Sequence, residues 1–159
     1  MLDDLASLWA KLQLERETIT ALVQPLGDAA LDRPGPDGCW SVRQTLAHIA
    51  ASEHALLSLA QRIAAGDKPQ VPAGYNLHEA NAAAVGRRQG RSVAVLLTEW
   101  EQRRAEWASF LETVTPGQLQ LTGGHPAFDL QVTLLQLVIV MLKHERNHKA
   151  EIISLLARP

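Results

Sequence analysis

The stretch LLQLVIVMLKHERNHKAEI, residues 134–152, decides the fold, because an apolar helical run leads directly into two histidines four residues apart. Its first nine residues are long and apolar enough for a buried helix but too short to cross a bilayer, which takes about 20 residues. One stripe at helical spacing runs through the whole stretch and consists of Leu137, Met141, His144, His148 and Ile152. The stretch therefore predicts a buried helix whose two imidazoles point into the core.

The spacing of His144 and His148 favours a metal site. Side chains four residues apart on a helix project from the same face, about one turn apart. Buried imidazoles need polar partners, and a divalent metal with a third ligand from elsewhere in the chain is one such partner. The alternative is two core histidines bonded to carbonyl or carboxylate groups. The paired spacing favours the metal over that alternative.

Residues 144–148 also match the His-Glu-x-x-His signature of zinc peptidases, in which the glutamate is the general base. The extended form of that signature would place glycine at 151 and histidine at 154, where this chain has Glu151 and Ser154. Those peptidases also align their substrate on a strand, and the sequence has no convincing strand pattern. The match therefore does not indicate a peptidase. We expect Glu145 to pair with Lys149, four residues on, rather than to act as a base.

Length and composition predict one domain over residues 1–159. The formal charge of −2, from 15 basic and 17 acidic residues, gives no basic patch for nucleic acid or an anionic membrane. The single cysteine, Cys39, excludes an internal disulfide and fits a reducing compartment. The first residues do not have the pattern of a secretory signal. These features predict a cytoplasmic protein.

Periodic apolar residues predict four long helices, at about residues 3–24, 41–65, 92–114 and from 134 onward. Ser41 with Gln44, and Thr133 with Gln136, have the spacing of a capping box at the start of the second and fourth helices. The connection between the second and third helices is long and has room for a short helix at about residues 77–85. The sequence thus predicts an all-α protein, a four-helix bundle with a long crossover between helices 2 and 3.

Bundles of this kind build metal sites from inward side chains on facing helices, so the third ligand must lie on another helix. His48 qualifies best, because it lies two turns into the second helix beside its apolar stripe. His54 follows six residues later, about 240° around the helix, and cannot face the same metal. His78 and His125 fall in or near loops, where we expect surface or turn positions; a loop histidine at the mouth of a site could touch substrate.

The chain resembles the DinB/YfiT-like metalloenzymes. The segment WSVRQTLAHI, residues 40–49, followed by Glu53, looks like the helix-two signature of that superfamily. The two histidines of the fourth helix, followed by Glu151 and Ile152, look like its helix-four signature. Residues 81–97 (NAAAVGRRQGRSVAVLL) are similar to the N-terminal domains of mycothiol-dependent maleylpyruvate isomerases in the same superfamily. The resemblance covers nearly the whole chain.

The resemblance implies a four-helix bundle in which one histidine of helix two and two of helix four hold a divalent metal, zinc or nickel. By position these ligands are His48, His144 and His148. Characterised relatives are thiol transferases or isomerases that use low-molecular-weight thiols such as mycothiol or bacillithiol. Helix four of the superfamily often carries glutamine where this chain has Glu151. We expect Glu151 to accept a hydrogen bond from a ligating histidine. This role is favoured over that of a fourth ligand and over that of a carboxylate at the edge of the core.

Three neutral imidazoles leave a divalent cation with an open position, which is typical of a catalytic site. A thiol or water bound there loses its proton near neutral pH. Together with this chemistry, the resemblance implies a thiol S-transferase that joins a low-molecular-weight thiol to a small electrophile. The catalytic residues stay unassigned, with Glu145 and Glu151 as candidates, and Cys39 is expected to be an inert packed thiol rather than a reactive one.

Two other functions remain open. One is a non-catalytic bundle in which the histidine cluster is structural or vestigial and the protein binds a partner or dimerises. The other is a metal-dependent hydrolase. We also expect a homodimer, because relatives commonly pair and the tryptophans of the first and third helices supply apolar area beyond what one bundle needs.

Overall fold

The computed structural model describes residues 1–128 and 130–158, except for the side chain of residue 37. The described residues form six α-helices, two short 3₁₀ turns and one two-stranded hairpin. The helices are α1 (Asp3–Val23), α2 (Asp28–Leu31), α3 (Val42–Ala64), α4 (Leu77–Gly86), α5 (Val93–Thr113) and α6 (Leu134–Leu156). The strands are β1 (Thr122–Gly124) and β2 (Gln131–Thr133), and the 3₁₀ turns are Pro36–Gly38 and Gln118–Gln120.

The four long helices α1, α3, α5 and α6 are the four predicted from the sequence, and they form the predicted bundle. Helix α3 packs against α5 and α6, and α1 packs against the same two helices. This order places α1 and α3 at opposite corners of the bundle, with α5 and α6 at the other two. The long connection between α3 and α5 contains α4, the predicted short helix, which packs on α3.

Capping boxes fix the starts of α3 and α6, the two helices that carry the histidines of interest. The Ser41 N–H donates to Gln44 Oε1 at 2.9 Å, and the Gln44 N–H donates to Ser41 Oγ at 3.3 Å. The same reciprocal pair joins Thr133 and Gln136, at 2.8 and 3.1 Å. These bonds satisfy first-turn amides that a helix leaves unpaired. Both capping predictions are confirmed.

The bundle interior is apolar over most of its length. Trp100 and Trp107 of α5 are buried in it, so they do not supply the surplus apolar surface that was expected from the sequence for a dimer. Trp9 and Trp40 are partly buried. The apolar run that opens α6 is largely enclosed by the other helices. None of the helices in the described part of the chain is long and apolar enough to span a membrane.

A short hairpin accompanies the helices, although the sequence has no convincing strand pattern. Strands β1 and β2 pair antiparallel, with Thr122 opposite Thr133, directly before α6. Each strand has three residues, too few to display an alternating pattern in the sequence. Gly123 is required by packing, because a Cβ atom there would lie 2.7 Å from Cγ1 of Ile63. The Gly124 N–H donates to the carbonyl of Pro69 at 2.7 Å, so the hairpin is bound to the segment that follows α3.

Candidate metal centre

Three imidazoles converge where α3 faces the second half of α6. Nε2 of His144 lies 2.9 Å from Nε2 of His48 and 3.1 Å from Nε2 of His148. The ligand atoms of all three residues lie within 4.8 Å of one another. The three histidines singled out in the sequence therefore share one place in the fold. Their role as metal ligands stays a prediction.

The donor set and its geometry fit a divalent metal. Nδ1 of His148 lies 2.7 Å from Oε2 of Glu151, and because a carboxylate only accepts, this contact places the proton on Nδ1. Nε2 of His148 then presents a lone pair to the other two rings. In a tetrahedral site with metal–nitrogen bonds of about 2.0–2.1 Å, the nitrogens lie roughly 3.3 Å apart, close to the spacing seen here. Imidazole nitrogen suits zinc and nickel.

Burial keeps two of the imidazoles, those of His48 and His144, neutral. Burial, with a smaller effect of charge on His148, lowers the pKa of His48 to about 4. Burial, with the charges of His148, His48 and His125, lowers the pKa of His144 to about 3. At neutral pH both rings are therefore uncharged, and a ring nitrogen of each has a lone pair available for a cation. The indole of Trp40 packs against His48 with ring centroids 4.8 Å apart, which shields that ring from solvent.

The metal-free protein is expected to lose stability as the pH falls from about 6.5 toward 4. An unfolded imidazole titrates near pH 6.5, whereas folded His48 and His144 take protons only near pH 4 and 3. Between these values the unfolded chain binds more protons, so acid favours unfolding. The contribution of the two rings to the free energy of unfolding is thus complete above pH 6.5 and is lost as the pH falls below it. Urea unfolding with a chelator present, at a series of pH values, measures the effect.

The control is the double variant His48→Gln, His144→Gln, which lacks both titrating rings. Glu145 contributes a pH dependence of stability with the opposite sign, because its pKa is raised in the fold. Both proteins contain Glu145, so subtracting the variant from the wild type removes its contribution. The comparison is cleanest between pH 6.5 and 4.5, above the range in which Glu15 and Glu99, with lowered pKa values, take up protons. Identical pH dependence of the two proteins in this window would refute the prediction.

Glu151 lies on the outer side of the cluster and is bonded to His148 as described above. Its side chain is 42% exposed, so it lies at the edge of the site rather than among the three rings. A carboxylate bonded to the far nitrogen of a ligating histidine orients the ring and makes it more basic. The contact has the geometry expected when a carboxylate accepts a hydrogen bond from the non-ligating nitrogen of a histidine. This role for Glu151 stays a prediction.

The expected surface pair between Glu145 and Lys149 is wrong. Glu145 is completely buried, and Nη2 of Arg104 donates to both of its carboxylate oxygens. Lys149 instead bonds to Glu15 of α1. The reason is that Glu145, about 100° around α6 from His144, faces the bundle interior and not solvent. Burial and a hydrogen bond with Glu53 raise the pKa of Glu145 well above its usual range, against the opposing charge of Arg104.

Sequence analysis missed the buried ionic cluster to which Glu145 belongs. Arg104 of α5 places its Nε 2.9 Å from Oε1 of Glu53 in α3, and both side chains are buried. The indole N–H of Trp100 donates to the same oxygen at 2.9 Å. A signal was present: Arg104 falls four residues after Trp100 and three before Trp107, on the buried stripe of its helix.

The remaining histidines and the cysteine lie outside the cluster. His54 and His78 are exposed. His125 lies at a turn, one of the two positions expected for it, but its side chain is buried, with 7% exposure. Nδ1 of His125 accepts the Ala127 N–H at 3.2 Å, which holds the ring inside the hairpin loop. Cys39 is exposed, so the prediction of a packed thiol is wrong; it lies in the loop before α3, outside the apolar interior.

A cleft of about 1010 Å³ lies close to the histidine cluster, although none of the three histidines lines it. Trp40, whose ring packs on His48, lines it together with Ala47, the residue before His48. Other lining residues include the polar or charged Cys39, Arg43, Gln44, Arg88 and Gln89 and the apolar Pro34, Ala82 and Val85. Arg43 is neutralised there by Asp28 and Asp32, whose hydrogen bonds raise its pKa. A small polar molecule in this cleft would therefore lie against Trp40, the residue that packs on His48, without meeting a large excess of either charge.

Fold and site together define a class of protein: an all-α bundle in which two facing helices bring three histidines together beside a cleft. The chain matches the DinB superfamily over residues 11–152 and belongs to that superfamily. A comparison with curated proteins gave no match.

Two solved structures share the fold. The first is YfiT from Bacillus subtilis, described as a probable metal-dependent hydrolase with an unusual four-helix bundle topology. It is 22% identical, with a TM-score of 0.81, over 94% of this chain and 84% of YfiT. The second is the mycothiol-dependent maleylpyruvate isomerase, 13% identical, with a TM-score of 0.76, over 96% of this chain and 63% of the isomerase. At these identities the likeness establishes the fold.

Proposed function

We propose that this protein is a divalent-metal-dependent enzyme, a thiol S-transferase that joins a low-molecular-weight thiol to a small electrophile. The observation that carries the proposal is the convergence of His48, His144 and His148 beside an open cleft. Three neutral nitrogen ligands leave a coordination position free, whereas purely structural zinc sites are closed by four protein ligands. The fold shared with a mycothiol-dependent isomerase supports a thiol as the cosubstrate.

The residues around the site have distinct roles in this proposal. A divalent cation, zinc or nickel, would supply the positive charge that lowers the pKa of a thiol entering the site. His48, His144 and His148 hold that cation, and Glu151 keeps the proton of His148 on Nδ1, away from it. Trp40 shields His48 from water, and the cleft beside it admits the electrophile.

Hydrolysis is the second candidate, favoured by the structural likeness to YfiT, described as a probable metal-dependent hydrolase. A peptidase-like mechanism would need Glu145 as a base beside the reacting water. Glu145 is instead buried in an ion pair with Arg104, away from solvent. The position of Glu145 therefore disfavours that form of hydrolysis and favours a reaction in which the thiol itself is the nucleophile. A non-catalytic bundle with a structural histidine cluster remains the alternative outside enzymes.

The test begins with metal analysis of the purified protein, followed by loading with zinc or nickel. Thiol consumption is then measured with a panel of low-molecular-weight thiols and small electrophiles, and ester and amide hydrolysis is measured in parallel. Metal-dependent thiol consumption that is lost with a chelator supports the transferase. Metal-dependent hydrolysis without thiol consumption would support the second candidate instead. Bound metal with neither activity would support the structural alternative.

Replacement of Glu151 with alanine is expected to weaken metal affinity by roughly 10–100-fold, the usual cost of losing a hydrogen-bond partner of a ligating histidine. Without the carboxylate, Nδ1 of His148 no longer has the acceptor that fixes its proton and its ring orientation. Competition with a coloured chelator measures the affinity.

The variant Glu151→Gln should recover part of the loss, because the amide oxygen can accept the same hydrogen bond. The matched control is Glu112→Gln, at an exposed position of α5, which should bind metal as wild type does. Wild-type affinity in Glu151→Ala would exclude the proposed role.

Two further proposals concern assembly and location. We propose that the protein forms a homodimer, since apolar side chains such as Leu14 and Val95 are exposed on the long helices. Sedimentation at high concentration measures the assembly, and a purely monomeric species would refute it. We also propose a cytoplasmic location, where low-molecular-weight thiols are kept reduced.

A further inference from the structure

The side chain of Arg104 contacts every other long helix of the bundle. From α5 it binds Glu53 of α3 and Glu145 of α6, and its Nη2 lies 3.4 Å from the carbonyl oxygen of Leu12 in α1. Its guanidinium also lies over the ring of Trp9, 5.2 Å from the centroid. The side chain is 2% exposed, so these contacts form in the bundle interior.

Both carboxylates that Arg104 binds lie close along the chain to the converging histidines. Glu53 follows His48 by five residues, about 7.5 Å along α3, and Glu145 directly follows His144 in α6. Burial, and to a smaller extent the Glu53 carboxyl, raise the pKa of Glu145, so the two carboxyl groups interact. The ionic cluster therefore joins α3 and α6 within about a turn and a half of the residues that supply the three imidazoles.

We propose that Arg104 is a positioning residue of the metal site: by binding Glu53 and Glu145 together, it fixes the spacing and rotation of α3 and α6 that bring His48 to His144 and His148. The proposal rests on the proposed metal site. Arg104 touches none of the imidazoles in the described contacts, so it acts through the two helices.

The energetics of buried ion pairs favour this role over a purely stabilising one. Removing a guanidinium and two carboxylates from water is costly, and their mutual attraction often only offsets that cost. Uncharged side chains of similar size at such positions commonly give equal or greater stability. What they do not supply is a guanidinium that donates to Glu145 and forms an ion pair with Glu53 at the same time, and a guanidinium donates in only a few directions. A cluster of this kind restricts helix placement more than it stabilises the fold.

The experiment compares cobalt(II) binding, by titration and by the visible absorption spectrum, in wild type and variants. The informative variant is the triple substitution Glu53→Gln, Arg104→Met, Glu145→Met, which replaces all three ionisable side chains together and keeps an acceptor for the Trp100 N–H. It avoids an unpaired buried charge, so it is expected to fold. The single variant Arg104→Met is measured beside it. The control is Arg103→Met, the same change at the neighbouring residue, whose ion pair with Glu106 stays on the surface of α5.

The expected result is that the triple variant keeps the wild-type circular dichroism spectrum but binds cobalt at least about 10-fold more weakly, with altered absorption bands, because the ligands are less well held. Arg103→Met should match wild type in affinity and spectrum. Wild-type affinity and bands in the folded triple variant would overturn the positioning role while leaving the metal site intact. Failure of the wild-type protein to bind cobalt through its histidines would instead overturn the metal site itself, and the positioning role with it.

Discussion

Replacement of any one of His48, His144 and His148 with alanine is expected to abolish tight metal binding while leaving the protein folded. Each change removes one of three nitrogen ligands, so the loss should exceed the roughly 10–100-fold that an outer hydrogen-bond partner costs. The fold should survive, because the apolar interior of the bundle lies mostly outside the cluster. Equilibrium dialysis with zinc or nickel measures binding, and circular dichroism at 222 nm, a helix band, follows the fold.

His54→Ala provides the matched control on the same helix as His48. This histidine is exposed and points away from the cluster, so its removal should leave metal affinity unchanged. The three cluster variants should also lose any thiol-consuming activity together with the metal. Stoichiometric metal binding with wild-type affinity in one of them would remove that histidine from the proposed ligand set.

Replacement of Arg104 with alanine is expected to lower the free energy of unfolding by about 3–5 kcal/mol, the usual cost of removing one partner of a buried ion pair. Glu53 and Glu145 would then face each other in the bundle interior without a cation, and the cavity left by the guanidinium adds to the cost. Urea denaturation at pH 7, followed by circular dichroism, measures the change. The alanine variant tests stability, which the uncharged triple variant is designed to leave largely intact.

The comparison for this second result is Arg103→Ala. Its guanidinium pairs with Glu106 one turn along the same helix, with both side chains partly solvent-exposed, and such pairs contribute less than about 1 kcal/mol. The two neighbouring arginines should therefore differ by several-fold in their effect on stability. Equal losses in the free energy of unfolding would mean that Arg104 does not stabilise the protein through the buried ionic cluster.

Much of the fold could be predicted from the sequence because local signals mark where its helices begin. Ser41 with Gln44 and Thr133 with Gln136 are recognisable as capping boxes from spacing alone, and both are present. The apolar stripe of residues 134–152 placed His144 and His148 on one face, and this needs only the helical period. The hairpin could not be predicted in this way, because each three-residue strand is defined by its partner and by packing against Ile63.

The candidate site could be predicted only for residues that interact within a single helix. The spacing of His144 and His148 is local, but the choice between Lys149 and Arg104 as the partner of Glu145 depends on which face of α6 the bundle covers. The i, i+4 rule favoured Lys149, and tertiary packing overrode it. The buried faces of three helices would have indicated this ionic cluster, because Glu53, Arg104 and Glu145 each occupy a buried helical position.

The large sequence separation of the converging histidines has a consequence for folding. His48 and His144 are 96 residues apart, so an ion held between them would act as a reversible cross-link closing more than half of the chain into a loop. A ligand that binds only the folded chain stabilises it by RT ln(1 + [L]/Kd), about 2.7 kcal/mol when the free ion is at 100 times its Kd. The melting temperature would then rise with free metal concentration and fall with chelation, so that heat resistance in the cell would follow metal supply.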